Sequence, residues 1–213
     1  MRSLLLPLLA FFSLTTPVSA QANCLDQIKF PERGRWSEYK GSYKDDPYTM
    51  RYAVIGSESH GGKNLQWVEM RVIGAKKDRN IILQVLVPSS LADLSKVQEV
   101  IFKPGDQPAM KVSGPMLDML RGQLEKELLF AKVCNGVSLV GKETVKVPAG
   151  GFESLHYRSA DSADSWVSPE VPFSVVKSTG KNYQVELAGQ GTGAKSSITE
   201  TPQDMGDMGA PSH

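Results

Sequence analysis

The sequence contains few of the residues and patterns on which catalytic and metal sites depend. There are only two cysteines, Cys24 and Cys134, and only three histidines among 213 residues. His60, His156 and His213 stand at no metal-ligand spacing, and the chain has neither an HExxH motif nor a paired CxxC motif. Acid–base catalysis needs several titratable groups that converge on one site, and the sequence has none at a spacing that indicates such a site. We therefore expect no catalytic residue, metal or cofactor, and we predict that the protein is not an enzyme.

An excess of charge of either sign is also lacking. The chain has 24 lysines and arginines against 23 aspartates and glutamates, which gives a formal net charge of +1. Such a balance gives no electrostatic footprint for nucleic acid or for an anionic membrane. Beyond the N-terminus no window is apolar enough to span a bilayer. We therefore expect no nucleic-acid partner and no integral membrane segment in the mature chain.

The one long apolar run lies at the N-terminus and has the features of an export signal. Arg2 precedes the apolar residues 4–14, and residues 18–20 end in the small-x-small pattern that a signal peptidase cuts. Asn23 stands directly before Cys24, where a lipoprotein signal needs a small residue, so no lipid attachment is expected. We predict a signal peptide over residues 1–20 and a periplasmic or secreted protein; an uncleaved N-terminal anchor is the alternative.

Two cysteines in an exported chain most simply form a disulfide. A Cys24–Cys134 bridge ties the mature N-terminus to the residues after the predicted helix, and the chain-entropy model gives it about 4–5 kcal/mol of stabilisation. The alternative is a catalytic thiol, which needs a nearby base and an activating environment. Nothing in the sequence suggests either of these.

A single long amphipathic helix is predicted over residues 113–132. Ser113 suits the N-cap, and Pro115 is tolerated in a first turn where its missing N–H costs nothing. Apolar residues at steps of three and four share one helical face: Leu117, Leu120, Leu124, Leu128 and Ala131, widened by Met116 and Met119. A lone amphipathic helix in a strand-rich chain must bury that face against a sheet.

The rest of the mature chain predicts strands separated by turns, with a loop at 56–64 and one helical turn within 89–95. Alternating apolar residues indicate about eleven strands, at residues 36–43, 48–55, 65–73, 80–87, 97–103, 109–112, 137–147, 152–159, 165–168, 173–178 and 183–189. We predict a mainly β (α+β) fold, a strongly curved antiparallel sheet or half-barrel wrapped around one central helix. It forms a single domain over residues 21–201, and the polar Gly/Pro-rich tail, 202–213, is expected to be disordered.

Residues 189–196, GQGTGAKS, nearly spell a phosphate-binding P-loop, with Ala194 in place of the second glycine. A P-loop needs a following helix within a parallel sheet, and Pro202 leaves no room for one. We interpret the segment as a flexible strand end.

Three other groups of residues have a bland and a functional interpretation. Ser154, His156 and Asp161 contain the residue types of a catalytic triad but no nucleophile elbow, so His156 is interpreted as a hydrogen-bonded strand histidine. Three side chains in the C-terminal tail are of types that bind copper, but we interpret them as ordinary residues of a disordered tail: Met205, Met208 and His213. The tryptophans suit core or rim packing better than a sugar or lipid site: Trp36, Trp67 and Trp166.

Two segments within residues 141–177 resemble a known family. Residues 141–152, GKETVKVPAGGF, resemble a G-x-E-x-V-x-V-P-A-G-x-F motif, and residues 166–177, WVSPEVPFSVVK, resemble the W-x-S-x-x-x-P-x-x-V-x-K hairpin that follows it. Both are similar to exported bacterial proteins of the LolA-like half-barrel superfamily, which includes outer-membrane lipoprotein carriers. The resemblance implies a curved antiparallel sheet around helices over an apolar cavity. It also implies binding of acyl chains or lipidated proteins.

Two main hypotheses for the function remain. In the first, a non-enzymatic binding or carrier protein of the cell envelope holds a hydrophobic small molecule, lipid, acyl chain or lipidated envelope partner. Seven inward-facing positions would line its apolar cavity: Tyr52, Met70, Leu83, Val85, Leu117, Leu120 and Leu124. In the second, the protein is a structural or interaction module with a packed core and no small-molecule ligand. An envelope hydrolase is a third and weaker hypothesis.

Overall fold

The fold is described from a computed structural model, which covers residues 24–74, 80–88, 96–112 and 114–205. The side chains of residues 125–127 and 131 also lie outside the description. Five predictions therefore fall outside the described residues: the signal peptide, the helical turn within 89–95, the Ser113 cap, the burial of Ala131 and the tail beyond Met205.

The described residues form one curved, open sheet of twelve strands, in the order β12-β6-β5-β4-β3-β2-β1-β11-β10-β9-β8-β7. All neighbours are antiparallel except β12 and β6, which run parallel. The mainly β, antiparallel prediction is confirmed. The strands are β1 Trp36–Tyr43, β2 Asp46–His60, β3 Lys63–Gly74, β4 Ile81–Pro88, β5 Glu99–Pro104, β6 Met110–Val112, β7 Val137–Val147, β8 Gly150–Ser159, β9 Asp164–Val167, β10 Val175–Gly180, β11 Tyr183–Gly191 and β12 Gln203–Asp204.

The loop predicted at 56–64 is wrong, because β2 and β3 continue almost to each other. Only Gly61 and Gly62 separate them, with φ of 56° and 77°. Two successive positive φ angles are what a tight hairpin turn requires, and glycine adopts them without steric cost. The polar residues on either side of this turn are therefore paired strand residues.

The predicted helix is present but bends. Helix α2 spans Gly114–Glu127 and α3 spans Leu129–Lys132, while a short α1 spans Cys24–Gln27. Leu117, Leu124 and Leu128 are buried as predicted, and Leu120 packs partly buried against the same core.

The predicted widening of this stripe by Met116 and Met119 is wrong. Their side chains are 43% and 60% exposed. At 3.6 residues per turn, Met119 lies about 200° around the helix from Leu117 and so faces away from the sheet.

The main core lies between this helix and one face of the sheet, which we call the inner face. Its centre is a row of valines aligned across β2 to β6 by the strand register: Val54, Val68, Val85, Val100 and Val112. All five are at most 3% exposed. The sheet curls beyond β11, because the turn between β7 and β8 reaches back to it: the Ala149 N–H donates to the Leu187 carbonyl at 3.1 Å.

A C-terminal strap, residues 192–205, crosses the opposite, outer face of the sheet. Glu69 and Gln84 alternate with the inward-facing valines and so point outward. Glu69 accepts hydrogen bonds from the Ser197 N–H at 2.8 Å and its hydroxyl at 2.7 Å, and Gln84 donates to Ser196 at 2.7 Å. Ile198 packs on Ile101 and Ala109 in a second, smaller core. Residues that resemble the end of a P-loop thus fix the strap to the sheet.

The strap extends beyond the tail boundary predicted at residue 202. Gln203–Asp204 forms β12 beside β6, and the Met205 N–H donates to the Lys111 carbonyl at 3.0 Å. A two-residue edge strand has no alternation that a sequence pattern can reveal.

The structure contains the predicted disulfide between Cys24 and Cys134, whose Cα atoms lie 5.4 Å apart across a sequence separation of 110 residues. The bond fixes α1 next to the C-terminal end of α3. It thereby holds α1 and the C-terminal end of α3 together at one end of the inner face.

Candidate functional site

The seven residues predicted to line a cavity all belong to the main core or pack against it. Tyr52, Val85, Leu117 and Leu124 are buried, and the other three are partly buried: Met70, Leu83 and Leu120. The register aligns Tyr52 with Met70 and Met70 with Leu83 across β2, β3 and β4. Their binding role stays a prediction; Tyr52 also lies in the wall of a cavity.

That cavity, which we call the tyrosine cavity, has a volume of about 150 Å³. It lies where α3 meets the ends of β1, β2 and β11. Aromatic and aliphatic side chains form its wall, with one lysine: Tyr43, Tyr48, Met50, Tyr52, Leu129, Lys132, Tyr183 and Val185. No local signal in the sequence indicates that four tyrosines from three strands converge here.

Glycines allow these tyrosine rings to lie across the sheet. A Cβ on Gly41 would stand 2.7 Å from the Tyr48 ring, and a Cβ on Gly180 would collide with the Tyr183 ring. Tyr43 and Tyr183 face each other as the last cross-strand pair of β1 and β11. Both glycines are therefore required by close packing, since any larger residue would displace a wall of the cavity.

Burial raises the pKa of the Tyr48 hydroxyl, and the nearby Tyr183 raises it further. Burial likewise raises the pKa of Tyr39, whose hydroxyl donates to the Val175 carbonyl at 3.1 Å. Tyr48 is therefore neutral at physiological pH and presents an apolar ring and an uncharged hydroxyl group to the tyrosine cavity.

Tyr52 holds the helix bend to the sheet. Its hydroxyl oxygen accepts the Leu129 N–H at 3.1 Å, at the first residue of α3. Its ring lies in edge contact with Phe130 at 5.5 Å and beside Phe173 at 5.6 Å, measured between ring centroids. Aromatic pairs at these distances add to the stabilisation from burial. The position of α3, and hence of Lys132, depends on this cluster.

A second cavity of about 280 Å³, which we call the polar cavity, shares Lys132 and Tyr183 with the tyrosine cavity. The Lys132 ammonium lies 5.1 Å from the centroid of the Tyr183 ring, a cation–π distance. Hydrogen-bonding side chains make up much of the remaining wall: Asn135, Ser159, Asp161, Asp164, Ser165 and Ser178. The two cavities therefore form an apolar and a polar compartment with a common lysine.

Both carboxylates of the polar cavity are stabilised in their charged form. The hydrogen bond from the Ser159 hydroxyl is the main cause of the lowered pKa of Asp161. Burial would raise the pKa of Asp164, but hydrogen bonds from Arg158 and His156 outweigh it, and the pKa is lowered. The Arg158 Nε lies 2.8 Å and the His156 Nε2 lies 2.6 Å from the same Oδ1. Both carboxylates are thus ionised at neutral pH.

His156 is a strand histidine with both ring nitrogens engaged. Its Nδ1 lies 3.1 Å from a Glu143 oxygen and its Nε2 contacts Asp164, while its ring stacks on Trp166 at 4.6 Å. Ser154 donates instead to the Phe152 carbonyl at 3.3 Å. The residue types of the triad considered above therefore form no nucleophile–base hydrogen bond in this arrangement.

The three tryptophans line neither cavity, and each indole N–H has a partner. Trp36 donates to the Thr192 carbonyl at 3.1 Å, Trp67 to Glu58 at 2.8 Å and Trp166 to Glu143 at 2.6 Å. Within the described part of the chain no three histidine, cysteine or acidic side chains are grouped to hold a metal ion. None of the helices in that part has the length and apolar character needed to cross a membrane.

No family model and no curated protein matches the chain. Three solved structures are similar to it in fold at low scores. A protein from Bacteroides fragilis described as exported, with a YmcC-like fold, is 11% identical at a TM-score of 0.39, covering 78% of this chain and 99% of that one. A protein from Parabacteroides distasonis described as a lipoprotein is 13% identical at 0.40, covering 77% and 98%. MucB is 11% identical at 0.40, covering 84% of this chain and 60% of MucB.

Proposed function

We propose that the protein is a non-enzymatic binding or carrier protein of the cell envelope that holds an apolar ligand on the inner face of its sheet. The ligand is a lipid, an acyl chain or a lipidated partner. The observation that carries the proposal is the tyrosine cavity, which adjoins the inner face where α3 meets the sheet. Its aromatic and aliphatic walls suit an apolar group, and its few polar groups suit orientation of that group.

The inner face supports the proposal because α2 does not cover it completely. Met70, Leu83 and Leu120 are only partly buried, although the adjacent valine row is almost inaccessible. Phe102 and Met110 continue the Met70–Leu83 row across β5 and β6 and are also partly exposed. A row of accessible apolar side chains between helix and sheet is a surface on which an acyl chain can lie. In this proposal the sheet acts as a half-barrel around α2 and α3.

The proposed compartment is the periplasm. The N-terminal residues have the pattern of an export signal, and Cys24 and Cys134 are disulfide-bonded. Structural disulfides persist in oxidising compartments and are rare in the cytosol.

Affinity for an acyl ligand tests the proposal. Protein purified from its native envelope is examined by native mass spectrometry for a bound lipid, and then titrated with a fluorescent fatty-acid probe. Leu120→Glu places a charge on the partly buried side of α2 and is expected to weaken probe binding at least tenfold, about 1.4 kcal/mol. Met119→Glu places the same charge on the exposed side and is expected to bind as the wild type does. A wild-type protein that carries no lipid and binds no probe would contradict the proposal.

The second candidate is a structural or interaction module without a small-molecule ligand. It is favoured by the size of the tyrosine cavity, whose volume of about 150 Å³ is below the 300–1,000 Å³ usual for ligand pockets. The apo and probe-bound proteins distinguish the two candidates. Protection of α2 and α3 amides from hydrogen exchange should increase with the probe for a carrier and should not change for a module.

Absence of catalysis is part of the proposal. A screen of generic ester, phosphate and glycoside substrates is expected to show no turnover above background. Turnover that His156→Ala abolishes would establish a hydrolase and overturn this part.

A further inference from the structure

The two cavities together indicate that the ligand has a polar part as well as an apolar part. Tyrosine rings and aliphatic groups surround one of them, whereas serine, asparagine and aspartate side chains surround the other. Lys132 and Tyr183 belong to both walls, so the compartments adjoin at these two residues. A ligand that occupies both compartments must be amphiphilic, with its polar part beyond Lys132.

The charges in the cavities occur in a definite order. Among the residues that the structure describes, Lys132 is the one charged residue in the wall of the tyrosine cavity, while the wall of the polar cavity adds Asp161 and Asp164. A ligand that extends from the apolar compartment meets the positive charge first and the negative charges afterwards. The complementary head group carries an anionic group next to its apolar part and a cationic group farther out.

The charged groups have capacity for such a ligand. The Lys132 ammonium lies over the Tyr183 ring and close enough to Asp161 to help lower the pKa of that carboxyl group, and Lys132 is exposed. Arg158 and His156 both contact Oδ1 of Asp164, on one side of its carboxylate. The Asp161 carboxylate accepts hydrogen bonds from the Ser159 hydroxyl group and from backbone N–H groups of its own turn, and the residue is exposed. An ammonium group can therefore contact the remaining carboxylate oxygens.

The backbone that carries these groups is fixed before any ligand binds. The Lys132 N–H donates to the Leu128 carbonyl at 2.9 Å, its carbonyl accepts the Asn135 N–H at 3.2 Å, and Cys134 is held by the disulfide. Asp161 lies in a turn closed by the Ser159 N–H to the Ala163 carbonyl at 2.9 Å. Preorganised groups of this kind reduce the entropy lost on binding.

We propose that the polar cavity is a head-group site for a zwitterionic amphiphile, in which Lys132 binds a phosphate next to the apolar tail and Asp161 and Asp164 bind a terminal ammonium. A phosphoethanolamine head has this order of charges. The inference rests on the proposed carrier function and specifies its ligand class.

Head-group selectivity tests this inference with four probes, three of which have identical short acyl chains: a phosphatidylethanolamine, a phosphatidylglycerol and a diacylglycerol. The fourth, glycerophosphoethanolamine, has no chains and separates recognition of a lipid from recognition of its free head group. By calorimetry the wild type is expected to bind the phosphatidylethanolamine at least tenfold more tightly than the other three.

Two variants with matched controls assign the charges. Asp161→Asn is expected to remove most of the preference for phosphatidylethanolamine over phosphatidylglycerol, whereas the exposed Asp106→Asn retains it. Lys132→Gln is expected to remove the preference for either phospholipid over diacylglycerol, whereas Lys63→Gln, at the distant β2–β3 turn, retains it. Circular dichroism of each variant confirms that it is folded.

Equal affinity for the three chain-bearing probes would overturn the head-group site and leave the carrier function standing. The same holds for a preference that both Asp161→Asn and Lys132→Gln leave intact. Tight binding of the chain-free probe would overturn the lipid as its source, and failure of every chain-bearing probe to bind would overturn the carrier function itself.

Discussion

The strap region and the cavity region use polar residues in opposite ways. In the strap region, β3 to β6 with residues 192–205, the buried Glu69 and Gln84 bond to each other at 2.8 Å and to the serines of the strap. In the cavity region, at the C-terminal end of α3, Lys132 and Asp161 face open space. Buried polar groups that hydrogen-bond to one another satisfy each other within the fold, whereas charged groups beside a cavity can bind and orient a ligand. Glu69 and Gln84 therefore maintain the sheet, whereas Lys132 and Asp161 are residues that we propose bind the ligand.

Loss of the disulfide is expected to give the largest effect, and to affect the cavity region most. Replacing Cys24 and Cys134 together with serine removes a constraint on 110 residues of chain and should cost about 4–5 kcal/mol of stability. Chemical denaturation of the variant, compared with wild type in oxidising and reducing buffer, measures the loss. The same denaturation midpoint for the variant, for the oxidised wild type and for the reduced wild type would show that the disulfide does not stabilise the fold.

Truncation of Tyr52 is expected to be next in size. Tyr52→Ala leaves a cavity among Tyr39, Phe130 and Phe173 and should cost about 3–5 kcal/mol. Tyr52→Phe keeps the ring and removes the hydroxyl group that accepts the Leu129 N–H, at about 1 kcal/mol. Thermal denaturation of both variants checks the order. Equal stability of the two would mean that the ring does not hold α3 in place.

Truncation in the strap should affect stability without affecting binding. Ile198→Ala removes the centre of the smaller core and should cost about 2–3 kcal/mol. Affinity for the fatty-acid probe, measured where both proteins are folded, is expected to stay within twofold of wild type. A large loss of affinity would show that the strap region and the cavity region are coupled, and would contradict a purely stabilising role for the strap.

The smallest expected effect concerns acid stability in the cavity region. Because the pKa of Asp164 is lowered in the folded state, its ionisation stabilises the fold above the unfolded-state value, near pH 4. This contribution is lost as the pH falls through the folded-state pKa. The stability difference between wild type and Asp164→Asn should therefore shrink below about pH 4. A difference that does not change between pH 7 and pH 3 would contradict the assignment.

Strand alternation was sufficient to predict eleven of the strands, because in an antiparallel sheet one face packs on a core and the other meets solvent or the strap. Sequence periodicity did not reveal three features of the fold. The helix bend at Leu128 leaves the apolar spacing intact, and β12 is too short to alternate. The hairpin at Gly61 and Gly62 joins polar strands whose side chains are largely exposed.

The candidate site was predictable only in its apolar part. The inward orientation of Tyr52 and of the helix leucines can be predicted from sequence periodicity. The contact between Tyr43 and Tyr183 depends instead on the register of β1 against β11, and these two residues lie 140 positions apart in the chain. Lys132 is the last residue of α3, and the sequence there indicates only a helix end. Its position between two cavities follows from the curl of the sheet and the disulfide, which no local pattern specifies.

Photo-cross-linking with a diazirine-bearing fatty acid, followed by peptide mapping, would show directly whether an acyl chain lies on the inner face of the sheet. We expect adducts on the inner face, at peptides containing Tyr43, Met50, Leu120 or Tyr183, and their loss in Leu120→Glu. Adducts spread over the outer face, or none above those of a denatured control, would contradict it.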